Sequence, residues 1–267
     1  MKKIAVVLLT LAMLIGICAC SPKEKYDKET GLINKDKMVI GIDDQFPPMG
    51  FRDKDNNIVG FDIDLAKAVA EKMGITAEFK VIDWTIKEQE LVNGNIDVIW
   101  NGYTITDKRK ENVDFTTPYL ANAQMLVVKK DSAYNTLADL AGKNIAAQIE
   151  SSAEEAIKSN SNFYKSINEK ITGYSDNVTA LDDLNLGRID ALVVDKVVAE
   201  YYLAQKPDTY RILEENLDPE EYGIGVAKGN TVLLDRIQKA LNEVVADGKA
   251  AEISTKWFGS DVVLKAK

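Results

Sequence analysis

One local pattern occurs twice in this chain and restricts the fold more than any other feature. Residues 90–99 (Glu-Leu-Val-Asn-Gly-Asn-Ile-Asp-Val-Ile) leave a helix at Gly94, pass one polar residue and enter an apolar strand through Ile96-Asp97. Residues 183–192 (Asp-Leu-Asn-Leu-Gly-Arg-Ile-Asp-Ala-Leu) repeat it through Gly187, Arg188 and Ile189-Asp190. A glycine just past a helix takes the left-handed conformation that satisfies the last carbonyls. An apolar run directly after it is a strand covered on both faces. Two copies predict two α/β lobes of similar construction; the plainer alternative is reuse of a common helix-to-strand turn.

The surrounding segments agree with layered α/β structure. Met38-Val39-Ile40-Gly41-Ile42 is a short strand, and residues 77–82 are another. Between them, Ile63, Ala66, Val69, Ala70 and Met73 share one helical face, with Asp62 placed to cap the start and Gly74 to stop the end. Residues 123–129 read as a strand leaving the first lobe, and residues 222–227 as a strand after the second. A last helix, with Leu234, Ile237, Leu241, Val244 and Val245 on one face, stops at Gly248. The chain then crosses twice between lobes, which makes a hinge. The expected division is 38–121 with 224–262 for the first lobe and 122–223, hinge strands included, for the second.

The N-terminus supplies an address. Lys2 and Lys3 precede an apolar run over residues 4–17, too short for a comfortable bilayer span and suited to a signal peptide. It ends in Ile17-Cys18-Ala19-Cys20 and then turns polar. Residues 1–19 are expected to be removed and Cys20 to carry the lipid, in a sequence that resembles a bacterial lipobox; the alternative is an ordinary signal peptide. Cys20 would then be the only cysteine, so the exported chain needs no disulfide. Residues 20–37, charged and without apolar periodicity, read as a lipidated tether.

The formal charge of −9 over 267 residues disfavours nucleic acid and anionic headgroups, and the absence of histidine removes the usual general base and commonest metal ligand. Asp53-Lys54-Asp55-Asn56-Asn57 has the look of a calcium loop, but Ile58 stands where that loop needs glycine. A hairpin turn is the better reading, and no metal or cofactor is expected.

The candidate chemistry gathers after the first buried strand, in Trp100-Asn101-Gly102-Tyr103-Thr104. Its small residues expose backbone N–H groups and a hydroxyl, and Arg109 could reach back with a planar fork that fits a carboxylate. Composition alone makes Arg109, within Lys108-Arg109-Lys110, a solvated charge more readily than a ligand. It also makes Asp195 a helix N-cap and Trp84 a core residue.

Together with Gly60-Phe61-Asp62-Ile63-Asp64, Val113-Asp114-Phe115-Thr116-Thr117-Pro118-Tyr119 and Lys256-Trp257-Phe258-Gly259, the 102–110 segment resembles polar amino-acid-binding proteins of ABC importers (bacterial solute-binding protein family 3). The resemblance runs from about Met38 to Gly259. It implies a periplasmic-binding-protein-like (type II) α/β fold, two-lobed, with two hinge strands and a ligand cleft between the lobes. At matched positions it implies that Arg109, Thr104 and the Gly102 backbone hold the ligand α-carboxylate. Asp195 takes the α-ammonium, Phe46 and Trp84 flank the side chain, and Asp43 senses its end. Asn101, Gln148, Ser151 and Ser152 complete the expected site.

Glu150 departs from the commonest pattern, which has glycine there; it either faces the cleft and favours a cationic side chain or points out as a first-turn helix acid. The resemblance implies a monomeric receptor, tethered outside the cytoplasm, that passes a free amino acid to an ABC permease without catalysis. The alternatives are a dehydratase-like enzyme on the same scaffold and a sensory module.

Overall fold

A computed structural model of the protein describes residues 25–265. The expected signal peptide and Cys20 lie outside the described residues. The first sheet orders its strands β5-β1-β6-β13-β7, where β1 is Lys37–Ile42, β5 Thr76–Val81, β6 Val98–Ile99, β7 Val113–Phe115 and β13 Gly225–Ala227. The second orders β10-β9-β11-β8-β12, where β8 is Leu120–Lys129, β9 Ile145–Gln148, β10 Thr172–Tyr174, β11 Ala191–Asp195 and β12 Tyr210–Tyr222. In each sheet three parallel strands meet one antiparallel strand that arrives from the other lobe: β13 beside β6, and β8 beside β11. The shared construction makes this a two-lobed α/β fold of the expected kind. A small sheet of β2 (Gln45–Phe46), β3 (Gly50–Arg52) and β4 (Ile58–Val59) rides on the first lobe.

The repeated pattern has an atomic basis. Gly94 and Gly187 both adopt positive φ (73° and 72°), as helix stops require. The aspartate three residues after each glycine clasps the neighbouring parallel strand, β1 for Asp97 and the start of β9 for Asp190. Asp97 donates its N–H to the Val39 carbonyl (2.8 Å) and accepts the Val39 N–H on its carboxylate (2.7 Å). Asp190 makes the same two bonds with Asn144, each 2.9 Å. A carboxylate that takes a backbone donor of the neighbouring strand fixes how the two strands meet.

Helix α1 (Phe61–Lys72) buries Ile63, Ala66, Val69 and Ala70 as their spacing predicts, and Gly74 follows it at φ 71°. Its cap differs from expectation. Gly60 occupies the N-cap position, and Asp62 lies inside the first turn, wholly buried. The final helical segment is two helices, α8 (Thr231–Ala246) and α9 (Lys249–Phe258), with Gly248 in the left-handed conformation between them. The buried face of α8 is centred on Leu233, Ile237, Ala240, Leu241 and Val244.

Two readings are corrected. The stretch taken as a tether is docked onto the first lobe over part of its length. Leu32 is 0% exposed, Ile33 donates its N–H to Asp97, and Asn230 and Arg236 bond the Gly31 and Thr30 carbonyls. The strand expected over 222–227 is present as β13, already inside the first sheet, and the strand that returns along the hinge is β12. It pairs antiparallel with β8 from Leu120↔Tyr222 to Lys129↔Tyr210. Its register shifts around Asn216 and it contains Pro219, both tolerated because β12 is the edge strand. The Asp53–Asn57 segment is a hairpin turn, with Asn56 at φ 65° and the Asp53 carboxylate accepting the Asn57 N–H. No acidic or thiol cluster able to hold a metal occurs among the described residues.

Candidate functional site

Ten of the eleven residues expected at the site line one small, nearly closed cavity where the lobes meet: Asp43, Phe46, Trp84, Asn101, Gly102, Arg109, Gln148, Ser151, Ser152 and Asp195. Thr104 stands behind them. Its hydroxyl is bonded to the Ser152 hydroxyl (3.0 Å) and its carbonyl accepts from the Arg109 guanidinium (2.8 Å).

Arg109 belongs to the short helix α3 (Asp107–Lys110), which Thr106 caps. It is the buried member of a run whose lysines are exposed: Arg109 is 5% exposed. The guanidinium lies 4.5 Å above the Tyr103 ring, with Glu88 3.9 Å from Nε. A planar cation packed on a ring and tied to a carbonyl is pre-organised, so it can meet a carboxylate with little further loss of side-chain freedom.

Gly102 could not be another residue without rearrangement. It has φ 57°, and a Cβ there would come within 2.7 Å of the Phe46 ring. Its N–H is held by Asp62 (2.7 Å), which also accepts from the Tyr119 hydroxyl (3.0 Å). Burial pushes the Asp62 carboxyl up to about 7. The sequence reading gave Asp62 only a capping role; its work is to shape the 100–104 loop from behind. Trp84 begins a 3-10 turn capped by Asp83 and packs edge-on against Tyr103 at 5.9 Å.

The second lobe supplies β9 and the N-terminus of α4 (Ser152–Ser159). Gln148, the last residue of β9, donates across the cleft to Asp43 (2.7 Å) and accepts from Asn177 (3.3 Å). Burial raises the Asp43 carboxyl to about 6, against the opposing effect of the Gln148 bond. Ser151 caps α4. Glu150 is neither a first-turn acid nor a cavity wall: it precedes the cap, exposed, at φ 56°, and lines an outer recess with Lys87, Glu88, Lys108, Arg109, Asn112 and Glu155.

Asp195 occupies the N-cap position of α7 (Lys196–Gln205) but does not cap it. Its carboxylate turns to the Asn122 amide (2.7 Å) and the Tyr222 hydroxyl (2.5 Å). Burial raises its carboxyl above the ordinary aspartate range. Asn101 is the unspent member of the cavity wall: 1% exposed, with neither amide atom hydrogen-bonded. A buried amide without partners costs about 1–3 kcal/mol unless something else supplies them.

Sequence reasoning missed Lys87, Asn122, Gln124 and Glu220. Lys87 is 2% exposed at the start of α2 (Lys87–Asn93), bonded to the Trp84 carbonyl and, across the cleft, to that of Glu150. Asn122, Gln124 and Glu220 come from β8 and β12, and the polarity of Asn122 and Gln124 inside an otherwise apolar strand was the available signal.

Two lobes joined by two crossing strands, with a small polar-ended cavity between them, define a solute-binding protein. The chain belongs to the bacterial extracellular solute-binding proteins, family 3, whose family model matches residues 38–260. It is 32% identical over 240 residues to the L-cystine-binding protein TcyJ of Escherichia coli, covering 88% of each chain. It is 32% identical over 259 residues to the arginine-binding extracellular protein ArtP of Bacillus subtilis, covering 97% of this chain and 98% of that one. Among solved structures it resembles an ABC uptake transporter substrate-binding protein from Streptococcus pneumoniae with bound histidine. That match has a TM-score of 0.83 and 43% identity, and covers 86% of this chain and 95% of that one.

Proposed function

We propose that this chain captures a polar amino acid outside the cytoplasm and delivers it to an ABC permease. The observation that carries the reading is the polarity of the cavity: a pre-organised cation, Arg109, from the first lobe and a buried acid, Asp195, from the second line the same small space. A zwitterion satisfies both and thereby favours lobe closure, because only a ligand that contacts both lobes gains more in the closed state than in the open one. Asn101 supplies donor and acceptor to the ligand. Phe46 and Trp84 flank its side chain, and Asp43 with Gln148 meets its end.

An acid at the far end suits a side chain that donates, so arginine and lysine lead, with glutamine and cystine next. The relatives that bind arginine, cystine and histidine are consistent with this range. In this reading residues 38–121 and 224–262 form the first lobe and 122–223 the second, and Cys20 carries the lipid that tethers a monomer to the membrane. The test is a thermal-shift screen against the twenty amino acids and cystine, followed by calorimetry with Arg109→Ala. A selective rise in melting temperature, and an affinity at least about tenfold weaker in the variant, are expected. An unchanged affinity sinks the carboxylate assignment; turnover of the ligand sinks the receptor reading.

A further inference from the structure

The acid at the ammonium end of the cavity has a second acid beside it. The Asn122 Nδ2 group lies 2.7 Å from the Asp195 carboxylate and 2.6 Å from that of Glu220, so one amide spans both carboxyl groups. Glu220 also accepts from the Gln124 amide at 2.9 Å. Asp195 takes the Tyr222 hydroxyl in addition. The groups around the pair come from β8 (Asn122, Gln124), β11 (Asp195) and β12 (Glu220, Tyr222), with Tyr119 behind Tyr222 at 6.4 Å between ring centres; the hydroxyls and amides among them bring no positive charge. Asp195 is buried and Glu220 half-buried, and two carboxyl groups bridged this closely by one amide do not both ionise: one retains a proton.

Asp195 has the better claim to the charge. It accepts the Tyr222 hydroxyl and the Asn122 amide, and its own backbone N–H helps stabilise the ionised form. Glu220 accepts two amides shared with its neighbours, and burial and the Asp195 charge both hold its carboxyl well above the ordinary range.

We infer that Glu220 is a positioning residue that works protonated, donating its O–H to Asp195 so that a single, oriented negative charge faces the ligand ammonium. The inference rests on the reading that Asp195 receives an amino-acid ammonium. Glutamine is the isostere of a protonated glutamate: in Glu220→Gln the amide N–H would donate to Asp195 while the carbonyl keeps accepting from Asn122 and Gln124. Alanine keeps neither function.

The experiment is calorimetric titration of wild type, Glu220→Gln and Glu220→Ala at pH 7 with L-arginine, L-lysine, L-glutamine, L-histidine and L-cystine. It is paired with infrared difference spectra of the liganded proteins. Affinity within about threefold of wild type for the glutamine variant, a loss of about tenfold or more for the alanine variant, and a protonated-carboxyl band that Glu220→Gln removes are the expected results. A glutamine variant as impaired as the alanine variant, or no such band in wild type, overturns the inference and leaves the amino-acid reading standing. Failure of wild type to bind any of the five overturns both.

Discussion

The Lys87 ammonium, in the first lobe, donates to the backbone carbonyl of Glu150, in the second, at 2.8 Å. Three more bonds cross the cleft: Gln148 to Asp43 at 2.7 Å, Thr104 with Ser152 at 3.0 Å, and the exposed pair Lys108–Glu155 at 3.1 Å. Lys87 differs from these because its partner is a backbone carbonyl in a left-handed residue whose N–H is already held by the Glu154 carboxylate at 2.8 Å. The Glu150 backbone is thus held on both sides, from its own helix and from the opposite lobe. Opening the cleft leaves that carbonyl to water and Lys87 with the Trp84 carbonyl and Glu88.

Lys87→Met keeps the apolar stem and removes the donor. A hydrogen bond to a charged group contributes about 1.5–3 kcal/mol, so the bound amino acid should leave roughly tenfold faster or more, with the association rate little changed. Burial lowers the Lys87 ammonium to about 8 from 10.5. Below about pH 8 both folded and unfolded chains hold the proton; between 8 and 10.5 only the unfolded chain does, so stability gained from this group rises with pH across that window. The latch itself weakens in the same window as the ammonium discharges. Stopped-flow release measured at pH 7 and 9 checks this: the gap between wild type and variant should narrow at pH 9, and equal rates at pH 7 would dismiss the latch.

Gly102→Ala meets two obstacles, a φ of 57° and a ring carbon 2.7 Å from the new Cβ. The left-handed backbone costs about 1–2 kcal/mol for an L-residue, and displacement of Phe46 adds to it. The expected outcome is a stability lower by about 2 kcal/mol in urea unfolding, together with weaker ligand binding because Phe46 is a cavity wall. Full stability and affinity would show that the loop relaxes freely.

Much of this architecture was legible because buried parallel strands and glycine stops leave strong local marks. Gly94 and Gly187 with their Ile-Asp entries located corresponding points in the two sheets, and α1 followed its apolar spacing. Edge strand β12 was not legible: Glu214, Glu215, Pro219 and Glu220 break any alternation, and its partner β8 lies about ninety residues away, so nothing local announces it. Arg109 shows the same limit from the other side. Lys108, Arg109 and Lys110 are alike as residue types; only the turn capped by Thr106 sends one of them inward. The docked segment at Leu32 escaped because the pair Leu32-Ile33 among polar and charged residues is too short to carry periodicity.

Asp62→Asn tests the loop support and supplies a pH signature. In the folded chain the carboxyl is raised to about 7 from 3.8. Below pH 3.8 both states are protonated; between 3.8 and 7 only the folded state keeps the proton, so this group's contribution to stability declines as pH rises toward 7. At about 1.4 kcal/mol per unit, the decline from pH 5 to 7 is roughly 2–3 kcal/mol. Wild type should therefore lose that much more than Asp62→Asn in denaturant titrations at the two pH values. Parallel slopes for the two proteins would mean that Asp62 stays ionised.

The paired clasps make the last test. Asp97 and Asp190 hold β1 at Val39 and the entry to β9 at Asn144 with the same two bonds, but they differ in what else they bind: Asp97 also anchors Ile33, whereas Asp190 also accepts the exposed-side Tyr134 hydroxyl at 2.8 Å. Asparagine at either position leaves one backbone N–H facing an amide that is uncharged and can present a donor to it. Each substitution should cost about 1–2 kcal/mol in unfolding free energy, since a charge-assisted bond is replaced by a neutral one. Asp97→Asn should cost more, because it carries two backbone donors in a buried place and loosens the docked segment around Leu32 as well. Hydrogen exchange separates the effects: Asp97→Asn should speed exchange at Ile33 and Val39, and Asp190→Asn at Asn144. An Asp190→Asn effect equal to or larger than that of Asp97→Asn would mean that the clasp alone, rather than the segment it anchors, sets the cost.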